Sequence, residues 1–168
     1  MKEPVTLMNA PRFSRFMACL GGVIDIAVVA ACAPPKQSAC AGLTYKDYGL
    51  SREEYAPCAK SMVQQLDRMH EALVVLGDAD KPKSDRARAR QSCFAASSAL
   101  AQQMREAGGT EKLVSIPWAD STLSRFNYEV EATHKAYLMY CYYGLTGPEV
   151  MRMEAGHEMA HSIAKTLP

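Results

Sequence analysis

The chain has 168 residues, with 19 Lys and Arg against 18 Asp and Glu, and 48% of its residues are hydrophobic. That length suffices for a core of its own, and the balanced charge excludes the basic footprint that nucleic-acid binding demands. Neither a glycine-rich phosphate loop nor an internal repeat of about 20–50 residues is present.

Residues 16–32 read FMACLGGVIDIAVVAAC, follow Arg12 and Arg15, and end in Val29-Ala30-Ala31-Cys32. A basic start, an apolar run of about 7–15 residues and small residues at the cut make a signal peptide, assigned here to residues 1–31. The ending resembles the lipobox of bacterial lipoproteins: a branched aliphatic, two small residues, then cysteine. The resemblance covers this segment alone. It implies that Cys32 becomes the first mature residue and is lipidated, which anchors the chain stably to a membrane because several acyl chains act together. It also implies a periplasm-facing place in the bacterial cell envelope. Ala33, where an aspartate would retain the protein at the inner membrane, implies the outer membrane under the enteric sorting rule. Asp25 departs from the pattern, since a charge in such a run costs about 2.5–3.5 kcal/mol on insertion scales. The competing reading is a spanning anchor of about 18 residues, which Asp25 penalises equally.

Residues 32–50 hold prolines, serine, glycine and polar side chains and read as a flexible, lipidated tether. Residues 51–168 are the predicted bundle domain. Ser51 and Glu54 form a capping box that starts the first helix. Pro57 predicts a break there, with a second helix starting at the proline. Met62, Leu66, Met69, Leu73 and Leu76 then make one apolar stripe, ending near Gly77. The second helix is predicted over 85–107, with a small inner face of Ala89, Cys93, Ala96, Leu100 and Met104. Arg86, Arg88 and Arg90 near its start read as a solvated face. Asp120 or Ser121 caps the third helix, whose stripe is Leu123, Phe126, Val130, His134, Tyr137 and Cys141. Thr146, Gly147 and Pro148 open the fourth, with Val150, Met153, His157, Ala160 and Ala164 inward. Short links and no β-alternation predict an all-α, up-down four-helix bundle.

Beyond Cys32 the mature chain has Cys40, Cys58, Cys93 and Cys141. An even number in an exported chain predicts two disulfides, with three possible pairings. No CxxC spacing supports a zinc ribbon. In an up-down bundle Cys40 and Cys58 arrive at one end. Cys93 and Cys141 differ in height by about 9 Å at 1.5 Å per residue, which loop offsets remove. The predicted pairs are therefore Cys40–Cys58 and Cys93–Cys141.

Each histidine has an acid three residues before it: Asp67/His70, Glu131/His134, Glu154/His157 and Glu158/His161. Paired E-x-x-H motifs of this kind bind two irons in ferritin-like bundles, but the first two helices here lack core glutamates to bridge a metal pair. His157-Glu158-Met159-Ala160-His161 resembles the H-E-x-x-H of zinc metallopeptidases, which implies two zinc ligands one turn apart and Glu158 as the base. Only seven residues follow His161, so a third ligand must come from upstream, from His134, Glu131 or His70. The height count puts His134 and His157 together, and the predicted metal set is His134, His157, His161 and Glu131. Met151, Met153 and Met159 nearby suit copper(I), although methionine at helical spacing is ordinarily core filler. Tyr137, Tyr140, Tyr142 and Tyr143 circle the end of the third helix, where some of them must face outward.

Two functions follow. The first is a non-enzymatic, lipid-anchored helical module that docks to an envelope protein and needs no cofactor. The alternative is a bundle binding zinc or copper, or an HExxH-type metallohydrolase using His157, Glu158 and His161.

Overall fold

The computed structural model describes residues 38–43, 50–108, 113, 116, 118–143 and 148–168, with side chains from Met151 onward in the last stretch. The signal peptide, Cys32 and the position of Val150 in the core lie outside the described residues. Four helices are present, α1 (Arg52–Gly77), α2 (Lys83–Gly108), α3 (Ser121–Tyr143) and α4 (Pro148–Thr166), and the described residues contain no strand. No helix among them is long and apolar enough to cross a membrane.

The ends of the helices follow local chemistry. Ser51 Oγ accepts from the Glu54 amide while Glu54 Oε2 accepts from the Ser51 amide, so two orphan donors are satisfied reciprocally. The expected break at Pro57 does not occur, and α1 runs through the proline. Pro57 lacks the N–H that would reach the Glu53 carbonyl, but both residues are exposed, so the lost bond falls on the solvent face of α1. α2 starts two residues earlier than predicted, because the Pro82 carbonyl accepts from Asp85 and Arg86 and already sets the first turn. On α3 the cap is Asp120, whose Oδ1 accepts from the amides of Thr122 at 2.7 Å and Leu123 at 3.2 Å.

Side-chain register gives the helix directions. Gln103 of α2 donates to Ser61 near the start of α1. Cys93 joins Cys141, and Ser97 meets His134, so α2 runs against α3. Lys60 near the start of α1 reaches the Pro168 carbonyl just beyond α4. Along α1 and α3, by contrast, Arg52–Asp120, Tyr55–Asn127 and His70–Tyr137 rise together. Sequential neighbours are thus antiparallel and α1 is parallel to α3, as an up-down bundle requires. The α1–α3 diagonal is in contact. The α2–α4 diagonal, among the described residues, is not.

The predicted stripes are the core. Met62, Leu66, Met69 and Leu73 of α1 are buried, as are Leu123, Phe126, Val130, His134, Tyr137 and Cys141 of α3. Both predicted disulfide pairs are present, with Cα separations of 4.6 Å for Cys40–Cys58 and 6.4 Å for Cys93–Cys141. The first draws part of the tether into the domain: Cys40 is fully buried, and residues 38–43 form a turn against the bundle. In the chain-entropy account, loops of 18 and 48 residues correspond to about 3 and about 4 kcal/mol of stabilisation.

α3 and α4 approach closely at Gly156, where a Cβ would stand 2.5 Å from Thr133 Oγ1. Threonine is short and stiff at χ1, so it has little room to yield. Gly156→Ala is expected to lower stability by about 1–3 kcal/mol, and Thr133→Ala in the same chain to recover most of that loss. Urea melts of the two single variants and the double variant check this, and additive losses would refute the steric account.

Candidate metal centre

The seam between α1 and α4 gathers the chemistry. On α4, buried Met153, Gly156, Ala160 and Ala164 face the core. His157 and His161 flank that stripe one turn apart, and so project together toward α1. Asp67, next to the buried Leu66, lies opposite. His157 Nε2 is 2.8 Å and His161 Nε2 is 2.6 Å from the same oxygen, Asp67 Oδ1. A carboxylate oxygen can only accept, so both imidazoles donate from Nε2. The three ligating atoms lie within 4.8 Å of one another, and among the described residues this is the one group of three or more His, Cys, Asp or Glu so arranged.

The group is poised between interior and water. The His157 side chain is 12% exposed, against 36% for His161 and 35% for Asp67. Burial pulls the His157 imidazole below its ordinary value, outweighing the hydrogen bond and charge of Asp67, so the ring is neutral near pH 7. Neutral imidazole is the form that ligates a metal. The histidines open onto a groove of about 820 Å³ flanked by His70, Glu154, Glu158, Ser162 and Lys165. His70 Nδ1 is 3.3 Å from the Tyr137 hydroxyl. Burial raises the Tyr137 pKa far above its ordinary value, with Glu154 and Asp67 adding to the shift, so that hydroxyl stays neutral.

The predicted metal set is only partly brought together. His157 and His161 meet, but their carboxylate is Asp67 of α1 and not Glu131. His134 faces α2, where its Nε2 is 2.8 Å from Ser97 Oγ. It is an individually satisfied core histidine, and Glu131 acts on it as a nearby charge. The height count placed His134 level with His157 but carried no information on azimuth. Glu158 is exposed on the groove wall. No methionine lines the groove, so the thioether donors of a copper(I) site are absent from it. Asp67 is the residue that the reading of the sequence missed as a candidate ligand, and its signal was the Asp67/His70 spacing on the first helix.

Comparison with protein-family models, with curated proteins and with solved structures finds no match for this chain.

His134 carries a pH signature. Burial holds its imidazole below the ordinary 6.5, so the unfolded chain binds that proton more readily than the folded one. Its contribution is present above about pH 6.5 and is lost as the pH falls toward the depressed folded value. His157, also depressed by burial, acts in the same direction. The urea midpoint is expected to fall between about pH 7.5 and about pH 5, and His134→Gln to flatten that fall. An unchanged slope in the variant would refute this assignment.

Proposed function

We propose that this chain is an exported helical-bundle module, tethered to the bacterial envelope through Cys32, that binds a zinc ion at Asp67, His157 and His161. The observation that carries the metal reading is the convergence of two imidazole nitrogens, from one helix, on a single carboxylate oxygen of the facing helix. Two nitrogens and one oxygen suit zinc. Calcium and magnesium prefer all-oxygen shells, and copper(I) prefers soft sulfur donors. Zinc ligands stand about 2.0–2.2 Å from the ion. The contacts of 2.8 and 2.6 Å to Asp67 Oδ1 therefore open to about 3.4 Å around the ion, and each imidazole moves its proton from Nε2 to Nδ1. Asp67 also fills the role that the H-E-x-x-H resemblance left open, a third donor upstream of His157. The half-open groove gives an ion a route from solvent.

Export is supported by the lipobox resemblance and by two cysteine pairs suited to an oxidising compartment. Docking to an envelope protein is supported by the outer face of α3, where Tyr142 and Tyr143 are 59% and 76% exposed and Tyr142 lies against Phe94 at 4.8 Å. Tyrosines in such clusters are enriched at protein contacts.

Full chain purified without chelator or added metal is expected to contain about one zinc per chain by elemental analysis. Asp67→Asn and His157→Ala are each expected to lose most of it. Zinc at about 100 times its Kd should stabilise the native protein by about 2.7 kcal/mol, and neither variant. Absence of zinc from the native chain, or equal content in all three proteins, refutes the reading. For the tether, Cys32→Ser is expected to move the chain from the membrane fraction to the soluble fraction, and a photo-crosslinker at Tyr143 to capture an envelope protein only in the tethered form. Unchanged membrane retention of the variant overturns the anchor.

A further inference from the structure

His70 lies beside the cluster, although its ring nitrogens are not among the atoms within 4.8 Å of one another. Asp67 and His70 are three residues apart on α1 and share a face, as His157 and His161 do on α4. The His70 ring centre lies 5.2 Å from that of His157, and the His157 and His161 centres are 5.1 Å apart. With Zn–N bonds of about 2.0–2.1 Å, each imidazole centre stands about 3.2 Å from the ion, and two of them at the tetrahedral angle are about 5.2 Å apart. The His70–His157 and His157–His161 pairs, two of the three that such a site contains, meet that requirement. Convergence on Asp67 accounts for the spacing of His157 and His161, but it places no demand on His70, whose Nδ1 turns to the Tyr137 hydroxyl instead.

We infer that His70 completes the centre as its fourth ligand, through Nε2, making a closed tetrahedral site of one aspartate and three histidines across the α1–α4 seam. This rests on the zinc reading above and goes beyond it. A three-ligand site keeps an open position for a reacting water, whereas a four-ligand site is closed and holds its ion structurally or as cargo. Tyr137 is then a positioning residue. Its oxygen accepts from Nδ1–H, which leaves the Nε2 lone pair for the ion and fixes the tautomer and orientation of the ring. The hydroxyl is well placed for this because Tyr137 is 1% exposed and anchored in the core of α3. His70 is half-buried and its nitrogens stand outside the 4.8 Å group as found, so ligation requires its ring to turn about the Tyr137 contact until Nε2 faces the ion. The closed site also staples α1 to α4, so zinc uptake tightens a seam that otherwise depends on partly exposed polar contacts. Glu158 then stands on the groove wall without a metal-bound water to deprotonate.

The test uses the full chain, zinc alone in competition with a chromophoric chelator, and cobalt(II) as a spectroscopic substitute. His70→Ala is expected to weaken zinc binding by about 100-fold or more. In case that variant does not fold, His70→Cys supplies the decisive readout: a thiolate in the first coordination sphere gives cobalt(II) a near-ultraviolet charge-transfer band that the wild type lacks. Appearance of the band supports the assignment. Its absence overturns the assignment whatever the affinities are, and leaves the three-ligand reading standing. A wild-type chain that binds neither zinc nor cobalt(II) overturns the metal reading itself.

Discussion

A four-helix bundle has two diagonals and cannot close both. Here the α1–α3 diagonal closes, and the buried hydrogen bond from the Tyr55 hydroxyl to Asn127 Oδ1, at 2.5 Å, lies within it. Asn127 in turn donates to the Leu123 carbonyl at 2.9 Å, so the pair is satisfied without water. Removing either partner strands the other in a dry core, at a cost of about 1–3 kcal/mol. Trp118 and Phe126 pack edge-on against the Tyr55 ring and exclude solvent from that bond. With α1 and α3 in contact, α2 and α4 are held to opposite sides, and their inner faces are correspondingly small: Ala89 and Ala96 on one, Gly156, Ala160 and Ala164 on the other.

The same diagonal sets the geometry of the candidate metal centre. Parallel α1 and α3 keep rising together past Tyr55–Asn127, so Tyr137, about three turns beyond Asn127, arrives beside His70, about four turns beyond Tyr55. Antiparallel α4 then brings His157 and His161 down to Asp67. This cluster is poorly explained by stability. Asp67 and His161 are each about one-third exposed, and solvent screening leaves such pairs worth little. His134 is the contrast. It is buried, neutral and bonded to Ser97, with its polar requirement met by one neighbour. One residue type thus serves the core on one side of the bundle and faces an open groove on the other.

How much of this was legible in the sequence varied with the kind of information required. Helix stripes are legible because burial imposes a period of 3.6 on one chain: the α3 stripe matched residue for residue, and the α1 stripe all but Leu76, which is half-buried. The cysteine pairs were legible because height along a bundle follows from counting residues at a fixed rise. Pro57 was misread because the lost hydrogen bond falls on an exposed part of α1, which a local rule about proline does not take into account. His134 was misplaced because height says nothing about which neighbour a side chain faces. The change from Glu131 to Asp67 has the same origin: two acids with identical spacing to a histidine differ only in the azimuth of their helices.

Taken alone, then, the order of residues determined that this chain makes four amphipathic helices, where most of them begin, which faces turn inward, and that residues 16–32 resemble an exported, lipid-modified leader. These are local properties, set by caps, periodicity and spacing along one strand of covalent chain. Which diagonal closes, and that Asp67 rather than Glu131 meets His157 and His161, was decided only by the packed bundle. Those outcomes depend on the rotation of each helix about its own axis, and that rotation is fixed by the fit of side chains from all the helices at once.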